Sequence, residues 1–376
     1  MIDLKTSPLF EPWTHPVSGV TSYLLTRKVA PVQEAFYFVN NGWSDDGRFL
    51  WFYCAFPPSG SADRGRTLGV VDFEKQTVAH HPDTQFEHGS PWVDPATGEL
   101  VWGSDGAIHR RSPDPNEPAA LVNRAPEELV GQRRLTRTAT HLTPTADGRA
   151  FFIDAEVGLQ YLFGTLPIDG GDFELWHRFD RHFNHAQCSP TDPDLVEFSM
   201  ENHFDQVTGL RLPITDRLWL MRRGEAPRPI RPEPTVVSHE WWDEDGEHVW
   251  CIKGGGEERG TWRVNIHSGE RQIVWPDGCW HSHHHPTARC LVGDNNFEAG
   301  FYRGCPSTVD FFNRDTARSV RIIDNPARDD DVGARYHIDP HPRFCVGGRY
   351  IVHTTAVRGQ IDLAVTPTDP LIDRTA

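Results

Sequence analysis

A turn signal recurs seven times along this chain, and it constrains the fold more than any other feature. Gly47 closes Ser-Asp-Asp-Gly, Gly98 closes Asp-Pro-Ala-Thr-Gly, Gly148 closes Thr-Ala-Asp-Gly and Gly246 closes Asp-Glu-Asp-Gly. Asp192 lies in Ser-Pro-Thr-Asp-Pro-Asp, Ala288 in Pro-Thr-Ala-Arg and Gly348 in Val-Gly-Gly. A strand-like run follows each, as in Arg48-Phe49-Leu50-Trp51-Phe52, Arg149-Ala150-Phe151-Phe152-Ile153 and Arg349-Tyr350-Ile351-Val352-His353, with the two-residue alternation of a half-buried strand. Seven units over 376 residues leave about 54 residues each (376/7), the scale of one propeller. Further short apolar runs, Thr67–Asp72, Arg217–Met221 and Gly260–Asn265, give each unit three or four strands. The expectation is an all-β, seven-bladed β-propeller forming one domain over residues 1–376. Val20–Leu25 would supply a strand that closes the ring with the last blade, and the Pro- and Glu-rich stretch 113–129 would hold a short helix or an inter-blade loop.

Seven residues before the turn position, five of the seven units carry a histidine: His141, His185, His239, His281 and His341. The two earlier units have Asn40 and Pro91 there. The innermost strand of a propeller blade faces the central axis, so its first residue lies at one rim, and these five imidazoles should ring one end of the axis. A lone histidine at a strand start is usually a hydrogen-bonded packing residue, and 20 histidines in the chain make some coincidence of spacing expected. Five in one register point instead to a shared site, because imidazole is both the commonest metal ligand and the readiest acid or base near neutral pH.

Composition narrows the partners. Hydrophobic residues make up 38% and charged residues 24%, with 13 Trp and 21 Phe to fill a core, so the chain is a folded body rather than a disordered one. A formal charge of −16 argues against nucleic acid and anionic membrane surfaces, and it means that an anionic ligand must have its charge met locally. No run approaches a membrane span, and the start Met-Ile-Asp-Leu-Lys-Thr-Ser-Pro lacks a basic segment followed by an apolar core. Seven scattered cysteines without a Cys-x-x-Cys pair fit reduced thiols, and a cytoplasmic location is expected. The sequence leaves the oligomeric state open.

The densest histidine cluster is Cys279-Trp280-His281-Ser282-His283-His284-His285, and His337-Ile338-Asp339-Pro340-His341 follows it. Strand alternation puts His281, His283 and His285 on one side, and consecutive blades bring His281 beside His341. A divalent cation is expected here, manganese or zinc, since imidazoles with one carboxylate suit both. His284 and His285 read equally well as a solvated turn. On the neighbouring blades stand His185 and His239, with Arg217 between them in Asp216-Arg-Leu-Trp-Leu. An arginine in an apolar strand needs an anionic partner, either a structural carboxylate such as Asp216 or a substrate carboxylate.

Several segments together resemble the oligogalacturonate lyase group of polysaccharide lyases, and more broadly the seven-bladed propeller lyases that include ulvan lyases. They are Ser189-Pro-Thr-Asp-Pro-Asp-Leu, Asp216-Arg-Leu-Trp-Leu, Ser238-His-Glu-Trp-Trp, His281 with Val292-Gly-Asp294, and Asp339-Pro-His-Pro-Arg-Phe344, covering roughly residues 140–355. The resemblance implies a metal held by His281 and His341 with further ligands from the stretch 336–339, where His337 stands. That stretch, Tyr336-His-Ile-Asp, departs from the group's pattern of a glutamine and a further histidine. It also implies that Arg217 and His239 form the catalytic pair, while His141 and His185 resemble the histidine-based sites of ulvan-type lyases. The implied reaction is β-elimination on an acidic oligosaccharide, in which charge developing on a uronate carboxylate is stabilised while a histidine removes the C5 proton. Exposed tryptophans such as Trp241 or Trp242 would stack on sugar rings. The competing readings are a non-catalytic binding propeller and a metal-dependent glycan hydrolase on the same scaffold.

Overall fold

The computed structural model describes residues 2–376 apart from 89–90, 127–132, 134, 278, 296–305 and 329–331. The described strands form seven four- or five-stranded antiparallel sheets, the successive blades of a β-propeller, and one two-stranded ribbon, His203–Phe204 with Arg211–Leu212, set within the fourth blade's stretch of chain. Blade 1 runs from Val32 to His81, blade 2 from Trp92 to Arg124, blade 3 from Leu135 to Phe179 and blade 4 from Phe183 to Pro229. Blade 5 runs from Ser238 to Trp275 and blade 6 from His281 to Asn325. Blade 7 joins the C-terminal strands Arg343–Cys345, Tyr350–Thr355 and Asp362–Pro367 to the N-terminal strands Thr21–Leu25 and Phe10–Thr14. The closing pairs are Tyr23 with Val365 and Leu24 with Ala364. A helix, Asp369–Thr375, then packs Leu371 into the cluster shared by blades 6 and 7.

The core lies between blades rather than inside any one of them. One apolar cluster joins blades 2 and 3, the next joins 3 and 4, and so on round the ring to a cluster of Leu25, Trp43, Phe52, Val352 and Val365 between blades 7 and 1. This corrects the expected alternation. The second strands Phe49–Ala55, Ala150–Val157 and Tyr350–Thr355 are buried almost throughout, because each sheet is sandwiched by a neighbour on both faces. The stretch 113–129 also departs from expectation: Ala120–Arg124 is the outer strand of blade 2, and 127–129 lie outside the described residues. The six described cysteines are free and buried; Cys305 lies outside the described residues.

The repeated turn positions behave as turn chemistry requires. Gly246 has φ +69°, and a β-carbon there would meet Thr191 Oγ1 at 1.9 Å. Gly246→Ala is therefore expected to destabilise the fold by about 1–3 kcal/mol. Equilibrium denaturation would check this, and an unchanged midpoint would contradict it. No helix among the described residues is long and apolar enough to cross a membrane.

Candidate functional site

The axis of the propeller is filled at the level of the histidines. Between the first strand of blade 1, Val32–Glu34, and the bridge residue Trp43, the chain carries Tyr37 and Phe38 into the centre. The Tyr37 ring stacks on His141 at 5.1 Å and lies 6.3, 5.6 and 4.8 Å from the rings of His185, His281 and His341. Phe38 lies against His239, His281 and Trp241. Asn40, at the register position of this unit, anchors the segment by donating to the Leu142 carbonyl at 3.3 Å, and Arg343 donates to the Phe38 carbonyl. Two residues of one segment thus touch side chains from five other blades.

The five histidines do converge on one another. His141 Nε2 lies 3.1 Å from His185 Nδ1, and the ring of His281 is 4.4 Å from both His239 and His341. Their backbone is unusual. His185, His239 and His341 have φ of +56°, +52° and +44°, and His337 has +54°. Register shifts in the first strands of blades 4 and 5 fall at His185 and His239. A bulge of this kind re-aims a side chain that a regular pleat would send into the blade interface. All five imidazoles are held below their usual pKa, chiefly by burial, with His141 and His281 at about 3. Neutral imidazoles are what both metal binding and proton abstraction need.

Around His281 the hydrogen bonds select a tautomer. Asp294 sits opposite His281 in the hairpin of blade 6 and accepts from the backbone N–H of His281 at 2.7 Å and of His341 at 3.1 Å. Its Oδ2 lies 3.0 Å from His281 Nδ1. With Nδ1–H donating to Asp294, the lone pair of Nε2 turns toward Asp339 and His341. Burial pushes the Asp294 carboxyl up to about 8, opposed by those two backbone N–H groups. Asp339 is 1% exposed; among the described residues its Oδ1 has no hydrogen-bond partner, and its Oδ2 meets only imidazole nitrogens, of His337 at 3.2 Å, His341 at 3.7 Å and His281 at 4.0 Å. His341 Nε2 is likewise buried without a hydrogen bond. Buried carboxylates are normally paired or bind a cation, and one nitrogen or oxygen each from His281, Asp339 and His341 falls within 4.8 Å of the others. This donor set fits a divalent cation. Asp294→Asn should weaken Mn²⁺ binding by about 10–100-fold, read by titration calorimetry, since its single acceptor oxygen replaces two that serve His281 Nδ1–H and the backbone N–H groups of His281 and His341, and its amide nitrogen can only donate.

The other sequence-derived ligands fall differently. His337 is half-exposed and pairs with Asp339; burial opposes its charge, but the hydrogen bond and the charge of Asp339 outweigh that and raise its pKa. His283 does not join the cluster. Its ring packs beside Trp241, His284 and Phe344, because the first strand of blade 6 buries that stretch against blades 5 and 7. His284 forms a second group with Asp243 and Glu244. There Trp241 Nε1–H donates to His284 Nδ1 at 2.8 Å, so the remaining proton of a neutral ring is on Nε2, which faces Glu244. That tautomer is wrong for metal binding through Nε2.

Arg217 finds its anion in residues other than Asp216. It forks onto Glu240, Nε to Oε2 at 3.1 Å and Nη2 to Oε1 at 3.2 Å, and it donates through Nη1 to Glu201. His185 Nδ1 lies 3.5 Å from Glu240. Trp241 and Trp242 are buried, donating to His284 and to the Gln187 carbonyl, so neither is free to meet a sugar. Trp280 is the exposed indole of the rim, 42% accessible and 5.2 Å from His239.

No protein-family model matches the chain, and no curated protein matches it by sequence. Solved structures do match it in fold. A puromycin hydrolase aligns with 89% of this chain and 52% of its own at 15% identity, with a TM-score of 0.61. An oligogalacturonate lyase in complex with manganese aligns over 96% of this chain and 97% of its own, at 18% identity and a TM-score of 0.72. An oligogalacturonate lyase from Vibrio parahaemolyticus gives the same coverage at 16% identity and a TM-score of 0.74. Over nearly its whole length, this chain shares the fold of the oligogalacturonate lyases.

Proposed function

We propose that this protein is a divalent-metal-dependent lyase that cleaves uronate-containing oligosaccharides by β-elimination, giving a 4,5-unsaturated uronate at the new end. The observation that carries this reading is the packing of a neutral imidazole, His239, 4.4 Å ring to ring from His281, whose Nε2 side also faces the unsatisfied acceptors of Asp339 and His341. Fold likeness to a manganese-bound oligogalacturonate lyase supports it.

His281 Nε2, His341 Nε2 and Asp339 would hold the cation, with His337 beside them. When bound, a divalent cation neutralises charge that builds on a uronate carboxylate, which is what acidifies the C5 proton. His239 is the base, neutral because burial and the adjacent His281 and Arg217 disfavour its charged form. Arg217 is a positioning residue: its fork fixes Glu240 and Glu201, which face His185. His141 and His185 bind the departing sugar, and Trp280 offers a stacking face beside the base. The net charge of −16 makes the local cation more necessary, since the rest of the surface repels a uronate.

The test is an ultraviolet assay on uronate oligosaccharides with and without chelator. Elimination gives a conjugated double bond that absorbs; hydrolysis adds water and gives saturated products. Cleavage without the absorbance rise would mean a hydrolase, and binding without cleavage a non-catalytic propeller.

A further inference from the structure

Tyr37 has no place in the mechanism so far, yet it occupies the middle of the site. It belongs to the blade 1 segment that fills the axis, in a unit that lacks the register histidine. Two anchors hold that segment: the Asn40 amide on the Leu142 carbonyl and Arg343 on the Phe38 carbonyl. A turn closed by the Asn40 N–H on the Tyr37 carbonyl at 2.9 Å fixes the residue itself. Its ring touches His141 and His185 on one side and His281 and His341 on the other, and so spans the boundary between the sugar-binding and metal-binding halves. The residue is half-buried, and its hydroxyl makes no hydrogen bond among the described residues. A tyrosine packed this tightly by its ring normally places its hydroxyl on a partner as well. Here that position is left for something that enters from the rim.

We propose that Tyr37 delivers the proton to the departing glycosidic oxygen, an assignment that rests on the lyase reading above. The imidazoles on this side are worse placed to donate: His141 Nε2 and His185 Nδ1 face each other, His185 Nδ1 also faces Glu240, and His141 Nδ1 is buried. In the elimination, the C5–H bond breaks, its proton goes to the His239 imidazole, and its electron pair becomes the C4=C5 double bond. The C4–O bond breaks with its pair on oxygen, and that oxygen takes the phenolic proton. The proton moves as the C4–O bond breaks, so no free alkoxide has to form. The imidazolium and the tyrosinate return to their resting forms by proton exchange with water.

Tyr37→Phe keeps the ring and its histidine contacts and removes only the hydroxyl. On an oligosaccharide substrate, kcat is expected to fall by about 10²–10³-fold with KM changed by less than about threefold. Mn²⁺ affinity and melting temperature should match the wild type. On a uronate whose 4-oxygen carries a fluorophenyl group, which leaves without needing a proton, the loss should shrink to under about tenfold. Full activity of the variant on oligosaccharide would overturn the assignment, and so would an equal loss on both substrates. If the wild-type protein forms no conjugated product from any uronate oligosaccharide, the lyase reading itself fails and takes this assignment with it, a result seen before the variant is made.

Discussion

Replacing His239 with alanine is expected to lower kcat on the true substrate by about 10²–10⁴-fold, the usual contribution of a positioned base. The ring of His239 contacts His281 but is not among the atoms grouped around Asp339. Mn²⁺ affinity of His239→Ala should therefore stay within about threefold of wild type, while a ligand substitution would change it far more. Parallel titration calorimetry and steady-state kinetics separate the two roles. A variant that keeps full turnover would remove His239 from the mechanism, and one that loses the metal would move it into the ligand set.

The second large effect concerns Asp339. A buried carboxylate with one oxygen unpartnered and the other facing His337 is costly in the metal-free protein, and a bound cation offsets that cost. Asp339→Ala should thus weaken Mn²⁺ binding by more than about 100-fold and abolish elimination, yet leave the metal-free protein at least as stable as the wild type. The wild type should gain about 2.7 kcal/mol when free Mn²⁺ stands at about 100 times its Kd, and the variant should gain nothing at that concentration. Differential scanning calorimetry with and without Mn²⁺ reads both terms. If Asp339 were a structural pairing residue, the metal-free variant would melt lower and the wild type would ignore the ion.

How much of this was legible beforehand differs from residue to residue. The propeller and the ring of His141, His185, His239, His281 and His341 could be read because turn chemistry and strand length repeat locally. Asp294 was also within reach: a hairpin turning at Thr287 and Ala288 sets residue 294 opposite 281, a register visible in the spacing. Asp339 stood between two histidines of the cluster, but strand alternation drew attention to His283, whose position is decided by the packing of blades 5 to 7. The carboxylates of Glu240 and Glu201 could not be matched to Arg217, since neither neighbours it in sequence. Tyr37 was hidden most completely. It enters the centre from a unit without a histidine, and only closure of the ring brings it against residues 100 to 300 positions away.

The left-handed backbone at His185, His239, His337 and His341 has a bearing on how such a protein can change. Each non-glycine residue held there costs about 1–3 kcal/mol, so the rim works against the stability that the inter-blade clusters supply. Glycine accepts this conformation more readily than histidine does. A library of variants selected for heat resistance alone should lose these four histidines early, often to glycine. One selected for turnover should keep them and collect its stabilising changes out in the blades.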